Sequence, residues 1–117
     1  MPEEPLAIED LADDTMGHRV LRLKGPILIS NLFEFQSRVR SNRLRVLILE
    51  CTDVPYIDSS GVGALVGAYV NHQKEGRSLA LVGVNARIRH ALQVTHVESF
   101  FRFFDSLDAA KQDDAAA

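Results

Sequence analysis

The sequence predicts an α/β domain built on a mixed sheet of about five strands. Strand-like and helix-like segments alternate after residue 25, the pattern of parallel strands joined by right-handed crossovers. Leu44 to Cys51 is a near-continuous apolar run with β-branched members, which suits a central strand covered on both faces. Before residue 25, two short strand-like segments flank a turn-rich stretch, so a hairpin adds an antiparallel pair and makes the sheet mixed.

The hairpin pairs Leu6 to Leu11 with His18 to Lys24 across Ala12-Asp13-Asp14-Thr15-Met16-Gly17, and Gly25-Pro26 ends the second strand. Asn31, three residues before Glu34, offers a reciprocal helix cap. Leu32, Phe35 and Val39 then recur at helical spacing, predicting a helix to about Arg40. After the central strand, Asp58-Ser59-Ser60-Gly61 opens a helix whose apolar stripe is Val62, Leu65, Val66, Tyr69 and Val70, and Gly76 is placed to close it in the left-handed conformation. Ser78 to Val84 repeats the strand pattern, and Asn85 caps a helix burying Ile88, Ala91 and Leu92. Phe101 to Phe104 is a short aromatic strand, Ser106 caps a last helix, and residues 112–117 have nothing to bury and are expected to fray.

A chain of 117 residues, 46% hydrophobic and 25% charged, supports one globular domain, with its core expected over residues 6–110. At this size no disulfide or metal staple is required. The lone Cys51 fits that expectation and points to a reducing, cytoplasmic compartment. The acidic start Met1-Pro2-Glu3-Glu4-Pro5 lacks the pattern of a secretory signal, and no apolar run approaches the ~20 residues of a membrane span. With a net charge of -3, nothing draws the chain as a whole to nucleic acid or anionic lipid, so proteins are the expected partners.

The residues with the most chemistry lie in the Asp58 to Gly61 turn. Asp and Ser lead the preferences for helix caps, so capping alone accounts for them. The same place also suits a regulated serine: the first turn has unpaired N–H groups and a positive dipole end that tolerate an anion. A phosphate there adds roughly -1.5 to -2 charge beside Asp58 and would evict a partner docked over the turn. The small neighbours Gly61, Val62, Gly63 and Ala64 leave room for such a partner.

Other chemistries find less support. The histidines His18, His72, His90 and His96 are scattered, with no GxSxG elbow around Ser60 and no metal-ligand spacing, so they are expected to be solvated surface residues. Gly61, Gly63 and Gly67 lack the Gly-Lys-Ser/Thr of a phosphate loop and are expected to serve close helix packing. Arg38, Arg40, Arg43 and Arg45 form a local basic cluster, expected to be solvated. Phe100, Phe101, Phe103 and Phe104 cannot all point inward from one strand, which leaves one or two for a self-association or partner patch.

The stretch Val54-Pro55-Tyr56-Ile57-Asp58-Ser59-Ser60-Gly61-Val62-Gly63-Ala64-Leu65 resembles the signature of STAS domains, and closely that of bacterial anti-sigma factor antagonists. Leu23 to Gly25, Val46 to Cys51, Leu79 to Val84 and Phe103 to Ala110 support the resemblance, which covers roughly Leu6 to Ala110. It implies a STAS-like domain with helices mainly on one face of the sheet. It also implies a partner switch: a non-enzymatic antagonist binds an anti-sigma factor serine kinase, the kinase phosphorylates the serine before the glycine, and a PP2C-type phosphatase restores it. Carried over, the acceptor is Ser60, and Asp58, Ser59, Ser60, Gly61 and Val62 form the partner-binding turn. No catalytic residue, cofactor or metal belongs to this chain, because ATP and metal ions serve the kinase and phosphatase. A homodimer is a further possibility. Many antagonists carry an aspartate where this chain has Leu28, and Gly25 to Asn31 instead resembles the loop of STAS domains attached to anion transporters. That likeness implies the alternative, a non-phosphorylated scaffold or accessory module in a signalling or transport assembly. A small-ligand or nucleotide sensor is a third alternative.

Overall fold

The computed structural model describes residues 5–11 and 17–113. Five strands form one sheet in the order β1 (Ala7–Asp10), β2 (His18–Lys24), β3 (Val46–Asp53), β4 (Ser78–Val82) and β5 (Arg102–Phe104). β1 runs antiparallel to β2, and every other neighbour is parallel. The expected hairpin is therefore present, although most of its turn lies outside the described residues. Arg22 on β2 pairs with Glu9 at 3.5 Å, and Arg19 pairs with Asp10 at 2.6 Å, tying the edge strand down.

Helices α1 (Leu32–Arg40), α2 (Ser59–Lys74) and α3 (Ala86–Val94) connect successive parallel strands. Each connection steps to the next strand in the same direction, so crossovers of one hand stack all three helices on one face. The main core lies beneath them, where Leu47, Leu49 and Cys51 of β3 meet Phe35, Leu65 and Leu92. On the opposite face Val46, Ile48, Ala80 and Val82 are covered by α4 (Leu107–Lys111), through Ala110 and Leu107. This accounts for the unbroken apolar run of β3, which is sandwiched between two cores. A 3-10 turn at Glu98–Phe100 precedes β5.

Three local expectations hold in detail. Asn85 accepts from the Ile88 N–H at 2.9 Å and Ser106 from the Ala109 N–H at 3.1 Å, each capping its helix. Gly76, at φ +72, ends α2 as the Arg77 N–H bonds back to the His72 carbonyl at 2.8 Å. Phe101 is buried while Phe100 is 39% exposed, its ring stacked on Tyr69, so the four phenylalanines do divide.

Other expectations are corrected. β3 begins at Val46 rather than Leu44, because the Asn42 side chain accepts from the Leu44 N–H at 3.1 Å and donates to its carbonyl at 3.2 Å. Leu44 is thereby removed from the ladder. The buried face of α2 is Val62, Ala64, Leu65, Ala68 and His72, whereas Val66 is half-buried and Val70 is 42% exposed. Two of the four histidines, His18 and His72, are buried rather than solvated. At the C-terminus, within the segment expected to fray, the Gln112 N–H bonds to the Asp108 carbonyl at 3.0 Å and Asp113 pairs with Arg102, while residues 114–117 lie outside the described residues.

Candidate functional site

Beyond the C-terminal end of β3 the chain turns through Val54 to Ile57 into α2, and here it meets the loop between β2 and α1. Ile27 and Ile57 form an isolated parallel bridge. The Ile27 N–H donates to the Tyr56 carbonyl at 3.3 Å, and the Asp58 N–H donates to the Ile27 carbonyl at 3.2 Å. Two segments some 30 residues apart in sequence thus form one surface.

Asp58 is the N-cap of α2. One carboxylate oxygen accepts from the Gly61 N–H at 2.8 Å, as a cap should. The other accepts from the Ile29 N–H at 3.0 Å, across to the loop. The carboxylate therefore staples the helix start to the loop as well as capping it.

Asn31 does not form the expected reciprocal cap with Glu34. Its amide oxygen accepts from the Leu28 N–H at 3.0 Å, and its amide nitrogen donates to the Pro26 carbonyl at 2.9 Å. It rigidifies the loop instead. The first turn of α1 forgoes a side-chain cap as a result. Leu28 is half-buried, while Ile29 is 70% exposed and Phe33, at the start of α1, is 82% exposed.

Gly61 is required by sterics. A Cβ built there would sit 2.5 Å from the Ile27 carbonyl oxygen and 3.0 Å from the Ile57 Cβ, so only glycine lets the helix approach this chain's own loop. Gly63 and Gly67 are the reverse: an added Cβ meets nothing within 4 Å, and the expectation of close packing fails for both.

Of the five residues expected to meet a partner, Ser59 is exposed and Asp58 and Ser60 are half-exposed. Gly61 is buried, and Val62, 8% exposed, lies in the main core. These two position the turn without presenting side chains on it. Among the described residues no hydrogen bond occupies the Ser60 hydroxyl. On the far side, the Asn85 amide donates to the Val54 and Pro55 carbonyls at 3.3 and 3.1 Å, and the Arg87 guanidinium lies 4.9 Å from the Tyr56 ring centre.

Sequence reasoning missed Ile29, Phe33 and Arg87 as surface features. Phe33 had a signal, since it cannot share the buried stripe of its neighbours Leu32 and Phe35. No group of three or more metal-ligating side chains occurs among the described residues, and none of their helices is long and apolar enough to cross a membrane. Burial, and secondarily the charge of Glu50, pushes the Cys51 thiol up to about 12, far from a nucleophile's range.

The fold has close structural relatives. An anti-sigma factor antagonist from Mycobacterium paratuberculosis superposes with a TM-score of 0.76 at 20% identity, covering 94% of each chain. The phosphorylated form of the Bacillus cell fate determinant SpoIIAA gives 0.70 at 16% identity, over 91% of this chain and 98% of that one. A sulfate transporter family protein from Wolinella succinogenes gives 0.68 at 29% identity, over 81% and 82%. The sequence itself matches the STAS domain family over residues 11–110, and with the fold and the Asp58 to Gly61 turn already described, this chain belongs to the STAS domain family.

Proposed function

We propose that this STAS domain is a non-enzymatic, cytoplasmic antagonist in a partner switch, binding an anti-sigma factor serine kinase through the face around Ser60 and released by phosphorylation of Ser60. The observation that carries the proposal is the state of that serine: it is half-exposed in the first turn of α2, with its hydroxyl unengaged by the described residues, in the turn that Asp58 staples to the backbone of the exposed Ile29. A structural relative bearing a phosphate in the same fold supports it.

Phosphorylation at Ser60 leaves the fold standing. The unpaired N–H groups of the first turn favour an anion by ~0.3–1 kcal/mol, and the Asp58 bonds that hold the turn run to backbone groups rather than to the hydroxyl. A partner covering the turn would bury roughly -1.5 to -2 added charge next to a carboxylate, at a cost of several kcal/mol, and each 1.4 kcal/mol is about tenfold in affinity. A PP2C-type phosphatase completes the cycle.

The test is binding of the purified kinase to wild type, Ser60→Ala and Ser60→Asp, with peptide mapping after incubation with kinase and ATP. Ser60→Ala should bind like wild type and Ser60→Asp at least tenfold more weakly, with phosphate on Ser60. Equal binding by both variants, or phosphate confined to Ser59, refutes the switch.

The second reading is a non-phosphorylated scaffold or accessory module in a transport or signalling assembly. Leu28 favours it, since it stands half-buried in the loop facing Asp58 where many antagonists carry an aspartate, as does the 29% identity to a sulfate transporter family protein. Absence of any Ser60 modification alongside stable binding to a transporter would select it.

A further inference from the structure

Leu28 to Asn31 form a tight turn closed twice, by the Asn31 N–H on the Leu28 carbonyl at 3.0 Å and by the Leu28 N–H on the Asn31 amide oxygen at 3.0 Å. Ile29 stands at its tip, 70% exposed, with its own N–H held by the Asp58 carboxylate. Phe33, four residues on in the first turn of α1, is 82% exposed. Single exposed apolar side chains are ordinary on a protein surface. These two, however, are the most exposed large apolar residues among those described, and the Asp58 bond places Ile29 on the end of the molecule that carries Ser60. The loop's own hydrogen bonds hold Ile29 in water. That loop offers a partner few free polar groups: Asn31 uses its amide within the loop, the Ile27 N–H and carbonyl are taken by Tyr56 and Asp58, and the Ile29 N–H by Asp58. What it presents is apolar.

We infer that Ile29 and Phe33 are the apolar anchors of the partner kinase that covers Ser60, filling an apolar pocket on that protein; this rests on the reading of Ser60 as a regulated docking face. The anchors supply affinity, and the charge state of Ser60 supplies the switch. Three features select this occupant. Asp58 lies two residues before Ser60 and is bonded to Ile29, so a protein large enough to cover the serine also reaches the loop tip. The turn from Asp58 to Ser60 is far smaller than the ~800 Å² that each side of a stable interface covers, and such interfaces centre on a few large side chains seated in pockets. The loop is already ordered by its own bonds, so docking costs little conformational entropy. A second copy of this chain fits less well, because a two-fold contact through Ile29 would set one Asp58 carboxylate near the other.

The test titrates the purified serine kinase with the full chain as wild type, Ile29→Ser, Phe33→Ser, Phe33→Leu and Ser60→Asp. Phe33→Ser should weaken binding by ~30-fold and Ile29→Ser by ~10-fold, as expected of anchor residues. Phe33→Leu, which keeps an apolar side chain, should recover most of the loss. Both positions are exposed, so the serine variants should melt within about 4 °C of wild type, which separates lost binding from misfolding. Undiminished binding by either serine variant overturns the anchors, and if Ser60→Asp still weakens binding the switch stands without them. Conversely, weak binding by both serine variants with Ser60→Asp binding like wild type refutes the switch and leaves the anchors. A wild-type chain that binds no serine kinase refutes both. A dimer in sedimentation that Phe33→Ser dissociates also overturns the proposal, since it would assign these residues to a second copy of this chain.

Discussion

Replacing Gly61 with alanine tests the architecture of the turn most directly. The added Cβ would lie 2.5 Å from the Ile27 carbonyl oxygen, where carbon–oxygen contacts ordinarily begin near ~3.3 Å, so loop and helix must separate by roughly 0.8 Å. The obstacle is backbone, which cannot swing aside as a side chain would. Separation stretches the Asp58 N–H bond to Ile27, already 3.2 Å, and the Ile29 N–H bond to the Asp58 carboxylate at 3.0 Å. Two weakened bonds cost ~1–2 kcal/mol and the overpacking ~1–3, offset by ~1 kcal/mol of helix propensity gained on replacing glycine. The net expectation is a destabilisation of ~1–4 kcal/mol, seen as a Tm lowered by ~5–15 °C in a thermal melt followed by circular dichroism. Gly63→Ala is the matched control: it gains the same propensity and meets nothing, so it should raise stability by ~0.5–1 kcal/mol. If Gly61→Ala melts as high as Gly63→Ala, the close approach is not what demands glycine at position 61.

His72 predicts an acid-sensitive fold. Its Nε2 accepts from the Asn42 amide at 2.9 Å and its Nδ1 donates to the Ala68 carbonyl at 2.9 Å, so the buried ring is neutral, and burial above all holds its pKa below 6.5. The unfolded chain takes up a proton near pH 6.5 and the folded chain does not, so the stabilisation is complete above that pH and is lost progressively as pH falls toward the folded-state pKa. The urea midpoint should drop between pH 7.5 and 5.5, and His72→Gln should flatten the drop; identical slopes would contradict the assignment. Asp58→Asn keeps a single acceptor for two N–H donors and should cost ~1–2 kcal/mol by urea unfolding, a loss below ~0.3 kcal/mol arguing against the staple. Cys51, buried with its thiol near 12, should react with a disulfide reagent at pH 8 only as fast as the protein opens, so the rate should rise through the urea transition. Full labelling of the folded protein within seconds would overturn that.

Much of the fold was legible because it is written in neighbouring residues. The apolar run of β3, the caps at Asn85 and Ser106 and the helix stop at Gly76 each depend on residues within about one helical turn, or on the two-residue alternation of a strand. His72 was partly legible too, since Leu65, Ala68 and His72 continue one helical stripe, but a histidine among polar neighbours reads as surface until Asn42 is seen to satisfy it. Asn31 misled for a related reason. Its spacing to Glu34 permits a cap, and the loop's own Leu28 and Pro26 groups took its side chain instead.

By itself the sequence determined the order of strands and helices, the two-sided burial of the central strand, and the position of Asp58-Ser59-Ser60-Gly61 at the head of a helix. Only the tertiary structure decided what that turn rests on. The parallel crossovers bring residues 26–31 against 56–61, and there Asp58 meets Ile29, Gly61 clears Ile27, and Val62 turns inward to leave Ser59 and Ser60 at the surface. The physical reason is range: side-chain periodicity acts over a turn or two of chain, whereas a contact across 29 residues exists only once the sheet has set its strands side by side.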